Sequence, residues 1–262
     1  VPGGVDSGEL LAAARRAATA AEAEIRRYWP AGAAVRTKAD STPVTDADVA
    51  AEEAVRSVLR ERFPEHGFLG EETGRSGTDS RVTWLVDPID GTRAFVRGYP
   101  FFSTQIAAMV DGELVVGVSH APFHGDVGET AWAGVGGAFV NGRAVRVSDV
   151  HTLREAHVSF GNLRTLAGDA RWAALGGIVE VAARVRGYGD YLQYHLLAGG
   201  HIDAVIESDV NILDIAALAV IVREAGGVFT DLEGGPVGLE TTGVLAANPA
   251  LHAQLLERIN LG

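Results

Sequence analysis

The run Trp84-Leu85-Val86-Asp87-Pro88-Ile89-Asp90-Gly91-Thr92 drives an apolar segment into two carboxylates three positions apart and then into a Gly-Thr pair. Carboxylates supply hard oxygen ligands. A helix opening after them leaves its first backbone N–H groups free to meet an anion. Together these features suit a Mg²⁺-dependent phosphate site. They also suit an ordinary turn with an Asp cap. Further acids stand at the ends of predicted elements: Glu71 after a short strand, Asp46 and Asp48 opening one helix, and Asp214 opening another. Acids favour helix N-termini for dipole reasons alone, and Asp48 and Glu72 are read as structural on that ground. For the others, metal chemistry requires that they meet in space.

The elements that must bring them together follow from patterning. Residues 8–29 repeat Ala, Leu and charge at helical spacing, and Thr45 starts a second helix that Pro64 closes. Gly67–Gly70 reads as a short strand and 73–80 as a loop. Val82, Trp84, Leu85 and Val86 suit a buried strand, which Pro88 should end for want of an N–H. Asp111-Gly112 between two apolar runs marks a hairpin, and a second pair near 129–133 and 136–140 precedes Asn141-Gly142 and a strand at 143–147. From 151 the rhythm becomes strand–helix alternation, with strands at 158–160, 182–185 and 204–207 and helices near 168–178, 190–199 and 212–225. Short strands at 228–230 and 243–246 and a helix after Asn248-Pro249 complete the chain. The expectation is two subdomains: 8–150, largely antiparallel sheet carrying two helices and most of the acids, and 151–262, α/β with Asp214.

The chain of 262 residues carries 34 acidic against 22 basic residues, and no basic stripe interrupts the surplus, which argues against a nucleic-acid partner. An acidic surplus also disfavours anionic substrates unless bound cations reverse the local sign. With no cysteine, disulfides, thiolate metal sites and a Cys nucleophile are excluded. No long apolar run or signal-like start is visible, so no membrane partner and a cytoplasmic location are expected. Val1–Gly4 is set aside from the fold reading. The histidines show no ligand spacing, and His195, on the 190–199 helix, is assigned to packing.

Gly70-Glu71-Glu72, the Asp87–Thr92 segment, Asp214 followed by Ala216-Ala217, Gly226-Gly227 and the segment Thr42-Pro43-Val44-Thr45-Asp46-Ala47-Asp48 together resemble the inositol monophosphatase family, in the family's order from about residue 8 onward. The resemblance implies a mixed α/β fold: a layered αβαβα sugar-phosphatase-like arrangement with an antiparallel N-terminal sheet and a smaller mixed C-terminal sheet. It implies a phosphomonoesterase for a small-molecule phosphate monoester, with about two to three Mg²⁺ ions per site. On this likeness one ion is held by Glu71, Asp87 and the Ile89 carbonyl, a second by Asp87, Asp90 and Asp214, and a looser one by Glu71 and water. Thr92, supported by Asp46, takes a proton from the attacking water, and the N–H groups of Gly91 and Thr92 hold the phosphate. Lys38 matches a family lysine near the metals, and a homodimer is implied. Leu213 departs from the pattern, standing where the family commonly has Trp.

The segment Arg186–Tyr191 has Gly189-Asp190 where inositol phosphatases commonly have Gly-Ser, and it resembles the histidinol-phosphatase branch of that family. Ile202–Ser208, which contains Glu207, fits the same branch. A carboxylate such as Asp190 facing the leaving group suits an ammonium or imidazole better than a neutral polyol. Asp190 serves equally well as a cap for the helix at 191–199. Asp190, Glu207 and Lys38 are the expected substrate contacts. An inositol phosphate or another sugar, polyol or nucleotide phosphate is the alternative substrate.

Overall fold

A computed structural model describes residues 5–30, 35–37, 43–77, 80–134 and 136–260. Val1–Gly4, Lys38 and Thr42 lie outside them. The chain runs α1 (Ser7–Tyr28), β1 (Val35–Thr37), β2 (Pro43–Thr45), α2 (Asp46–Arg62), β3 (Gly67–Gly70), β4 (Gly74–Ser76), β5 (Val82–Asp90), α3 (Thr92–Val96), β6 (Ser103–Val110), β7 (Glu113–Ala121), β8 (Glu129–Gly134), β9 (Gly137–Val140) and β10 (Arg143–Val145). It continues with β11 (His157–Gly161), α4 (Leu163–Gly168), α5 (Trp172–Val181), β12 (Arg184–Arg186), α6 (Asp190–Ala198), β13 (Ala204–Ser208), α7 (Ile212–Glu224), β14 (Val228–Asp231), β15 (Gly243–Ala247) and α8 (Pro249–Asn260).

These elements form five layers. Helices α1 and α2 cover one face of an eight-stranded sheet ordered β10-β9-β8-β7-β6-β5-β3-β4, in which only β3 and β5 run parallel. Helices α6 and α7 fill the space between that sheet and a five-stranded one ordered β12-β11-β13-β15-β14, where β11 lies parallel to both neighbours. Helices α4, α5 and α8 cover the far side. The expected αβαβα layering is what the chain adopts.

Composition explains the stacking. The stripe Ala13, Ala14, Ala17, Ala18 and Ala21 lets α1 lie close against α2 and the sheet. Ten residues of α7, from Ile212 to Val222, are buried, because the helix is apolar on all sides and sits between two sheets. β5 is buried on both faces for the same reason. Where α7 crosses β7, a Cβ on Gly117 would collide with the Ala217 carbonyl oxygen. Gly117→Ala therefore forces a backbone shift between packed layers and should cost about 1–3 kcal/mol, read as a lowered melting temperature with the phosphate-site residues untouched. An unchanged melt would show that the layers are looser than this contact.

Three local expectations are corrected. β5 does not stop at Pro88 but runs to Asp90, with its register against β6 shifting between Asp87 and Asp90. Pro88 sits in that irregularity, where the ladder needs no N–H from it. Residues 74–76, expected in a loop, pair with β3. The single helix expected near 168–178 is two, α4 and α5, separated where Asp169 turns extended and binds the Arg171 guanidinium at 2.8 Å.

Candidate active site

The shifted C-terminal end of β5, an interior strand of the eight-stranded sheet, places Asp87 and Asp90 next to Asp214 in the first turn of α7. One carboxylate oxygen from each of Asp87, Asp90 and Asp214 falls within a span of 4.8 Å. Each acid is held locally. Asp87 Oδ1 accepts from the Ile89 N–H at 2.9 Å. Asp214 is the third residue of α7, and its two oxygens accept from the Asn211 backbone N–H and side-chain amide, both at 2.9 Å, in a reciprocal capping box. Asp90 Oδ2 lies 3.4 Å from both Ser103 Oγ and Gln105 Nε2. Leu213, the departure from the family's Trp, is buried in the core between the sheets, so an aliphatic side chain fills that slot.

The electrostatics call for a cation. Burial, then the charges of Glu71, Asp90 and Asp214, push the Asp87 carboxyl well above its usual range. Asp90 is pushed up by burial and then by Asp190, Asp214 and Glu207. Burial raises Asp214 to about 6, with Glu71 and Asp190 adding to it. None of the ion pairs among the described residues involves Asp87, Asp90 or Asp214. Clustered carboxylates without a basic partner are favourable when a hard divalent ion neutralises them, and an all-oxygen donor set fits such an ion. The acidic cluster is thus fit to bind metal.

Glu71 stands beside the trio and lines the same cavity of about 390 Å³, as do Ile89, Gly91 and Thr92. Its turn is held by Glu52, a buried acid that sequence reading passed over. Glu52 accepts from the N–H groups of Glu72 and Thr73 at 2.8 and 2.9 Å. Its apolar-face spacing on α2 was a signal, since a Glu among buried positions must find donors. Gly91 caps α3 at φ 90°, and a Cβ there would strike the Phe101 carbonyl.

The carboxylate beside Thr92 is that of Asp48, not of Asp46. Asp46 lies on the surface, its side chain 48% exposed and paired with Arg36 at 2.6 Å. Asp48, which sequence reading assigned to helix capping alone, is fully buried. Its Oδ2 accepts from the Thr45 N–H and hydroxyl at 2.8 and 2.6 Å, and its Oδ1 lies 3.4 Å from Thr92 Oγ1. The cause is helical phase: the third position of α2 turns back under the cap and inward, whereas the first faces solvent. Burial and then, among its charged neighbours, Glu71 raise the Asp48 carboxyl. The Thr92 hydroxyl also reaches the Ile89 carbonyl at 3.0 Å.

Asp190, Glu207 and Asp209 line the same cavity, and the charges of Asp190 and Glu207 act on Asp90. Asp190 is the first residue of α6 at φ 44°, after Gly189, and that helix end has no side-chain cap, so the capping alternative does not hold. Glu207 accepts from Tyr194 Oη at 2.6 Å and Gln193 Nε2 at 2.7 Å, and burial pushes its carboxyl up to about 8. Lys38 lies outside the described residues.

The layered fold and the acidic centre between its sheets define a class: metal-binding α/β hydrolases of phosphoric monoesters. The model of the inositol monophosphatase family matches residues 6–261, and the chain belongs to that family. It is 41% identical to the histidinol-phosphatase of Mycobacterium tuberculosis (97% of this chain, 98% of that protein). It is 38% identical to the histidinol-phosphatase of Streptomyces coelicolor (86% and 87%). Among solved structures it is similar to the extragenic suppressor protein SuhB of Bartonella henselae, at a TM-score of 0.86 and 32% identity, covering 97% of this chain and 99% of that one. The chain is thus a phosphoric monoester hydrolase of a metal-dependent family. No helix among the described residues is long and apolar enough to cross a membrane.

Proposed function

We propose that the chain hydrolyses histidinol phosphate, with about two to three Mg²⁺ ions at the acidic centre. The observation that carries the substrate reading is the surplus of acid in the cavity. Beyond Glu71, Asp87, Asp90 and Asp214, the wall keeps Asp190, Glu207 and Asp209. Carboxylates left over once a metal has been neutralised suit a leaving alcohol that is itself a cation, and histidinol carries an ammonium and an imidazole. The likeness to two histidinol-phosphatases supports the same choice.

Asp87, Asp90 and Asp214, with Glu71 and the Ile89 carbonyl, would hold the Mg²⁺, which when bound supplies charge neutralisation for a dianionic ester and its departing alkoxide. The N–H groups of Gly91 and Thr92 receive the phosphate oxygens. Thr92 Oγ1 accepts a proton from the attacking water as its own proton passes to Asp48. Asp48→Asn should therefore lower kcat by about 10²-fold or more with KM little changed. Asp46→Ala should stay within about twofold of the parent, as surface substitutions do. Steady-state kinetics on both variants checks this, and the reverse order of effects would restore Asp46 as the partner.

The deciding experiment for the substrate is a phosphate-release panel in excess Mg²⁺ with histidinol phosphate, inositol 1-phosphate, sugar phosphates and 3′-phosphonucleotides. The expected kcat/KM for histidinol phosphate exceeds the others by about tenfold or more, the worth of one charge contact. A preference for inositol 1-phosphate would overturn the substrate reading and leave the hydrolase standing. We also infer a homodimer, supported by the exposed apolar side chains Leu163, Trp172 and Val179 on α4 and α5. A monomeric mass by light scattering would overturn that.

A further inference from the structure

A buried polar chain leads from Asp90 to the surface. Gln105 Nε2 lies 3.4 Å from Asp90 Oδ2, 2.8 Å from Ser103 Oγ and 3.1 Å from Ser119 Oγ. Ser119 Oγ is 2.8 Å from His195 Nε2, and His195 Nδ1 is 2.8 Å from Glu129 Oε1. Ser103, Gln105 and Ser119 are fully buried and His195 nearly so, while Glu129 reaches partial exposure. The residues come from β6, β7, β8 and α6, so packing of the eight-stranded sheet against α6 assembles them.

The chain has a direction. The Glu129 carboxylate only accepts, so Nδ1 of His195 carries a proton, and in the neutral ring Nε2 accepts from the Ser119 hydroxyl. With its proton so committed, Ser119 offers Gln105 only lone pairs. The Gln105 amide turns its two N–H groups to the nearer oxygens, Ser103 Oγ and Ser119 Oγ, and Ser103, accepting from it, has its hydroxyl proton to give to Asp90 Oδ2 at 3.4 Å. Its Oε1 is left buried with no partner among the described residues, and the opposite orientation would face Oε1 to Asp90. A hydrogen bond from His195 holds the Glu129 carboxyl below its usual range, in keeping with its acceptor role.

We propose that Gln105, Ser119 and His195 are positioning residues that keep a donor aimed at Asp90 and so fix its carboxylate for the metal. This rests on the reading of the acidic centre as a Mg²⁺ site. It assigns a role to His195 beyond the packing expected from sequence.

The test is calorimetric titration of the metal-free full chain with Mg²⁺, comparing the parent with Gln105→Met, Ser119→Ala, His195→Phe and the Gln105→Met/His195→Phe pair. Melting curves without metal report folding separately. Gln105→Met should weaken Mg²⁺ binding by about 10- to 100-fold, the usual loss when a partner of a metal ligand is removed. His195→Phe and Ser119→Ala should weaken it in the same direction. The pair should bind no worse than Gln105→Met, because His195 acts through Gln105. Raising Mg²⁺ should restore kcat in each. Losses that multiply in the pair would overturn the relay, as would folded variants that bind Mg²⁺ like the parent. If His195→Phe does not fold, Ser119→Ala, which removes a single oxygen, decides the matter by the same criterion. A parent chain that binds no Mg²⁺ would sink the reading of the centre itself, and this inference with it.

Discussion

Asp87→Asn should abolish phosphate release, by about 10³-fold or more, and at the same time raise the melting temperature of the metal-free protein. The loss follows from removing one charge from a preorganised centre that acts on a dianion. The gain follows from the raised carboxyls. Asp87 is 3% exposed, and burial with the charges of Glu71, Asp90 and Asp214 lifts its carboxyl well above the usual range. A neutral Asn removes that repulsion while its carbonyl still accepts from the Ile89 N–H. Relief of even about 1 kcal/mol shifts a melt of this size by about 2–4 °C. The sign of the pH dependence is fixed in the same way. A carboxyl raised on folding binds, in the native state, a proton the unfolded chain has already released. Stability is therefore lost as pH rises through the folded values, about 6 for Asp214 and about 8 for Glu207. Without metal the parent should melt lower at about pH 8.5 than at about pH 6.5, with Mg²⁺ closing the gap and Asp87→Asn narrowing it. Burial lowers the His66, His120 and His252 imidazoles, so these groups work the other way, favouring the folded state as pH rises through their unfolded range. A metal-free Asp87→Asn protein that melts lower than the parent would mean the centre is not electrostatically strained.

The layers were legible because their signals are periodic. The Ala stripe of α1, the Asp111-Gly112 and Asn141-Gly142 turns and the all-apolar α7 each carry a pattern that local physics reads directly. The acidic cluster was legible too, since Glu71, Asp87, Asp90 and Asp214 stand at element ends, and the structure gathers them around one cavity. What escaped was phase and partnership. Asp46 and Asp48 differ by two positions on one helix, and a shift of about 200° around its axis sends one to Arg36 and the other under Thr92. The Glu129-to-Gln105 chain joins residues on four elements, so no window of sequence contains it. Pro88 misled because it falls where the register of β5 against β6 shifts, and a rule for regular ladders does not hold there.

Substrate choice should turn on Asp190. Asp190→Asn is expected to raise KM for histidinol phosphate by about 10- to 100-fold, matching the loss of one hydrogen bond to a charged group, with kcat changed little and inositol 1-phosphate hydrolysis unaffected. Asn is the informative replacement. The backbone at 190 sits at φ 44°, which Asn tolerates as Asp does and which Ala or Ser would strain. The helix end at Gly189 uses no side-chain cap, so removing the charge withdraws no capping bond from α6. Among the charges that lift Asp90 and Asp214 is that of Asp190, so neutralising it also alters metal binding slightly, an effect common to all substrates. The ratio of kcat/KM values for the two esters cancels that shared part and isolates contact with the alcohol. A ratio that stays constant would show that Asp190 touches no cationic group, and the extra acid in the cavity would then have to act through Glu207 or Asp209. A ratio that collapses would place the ammonium or imidazole against the first turn of α6.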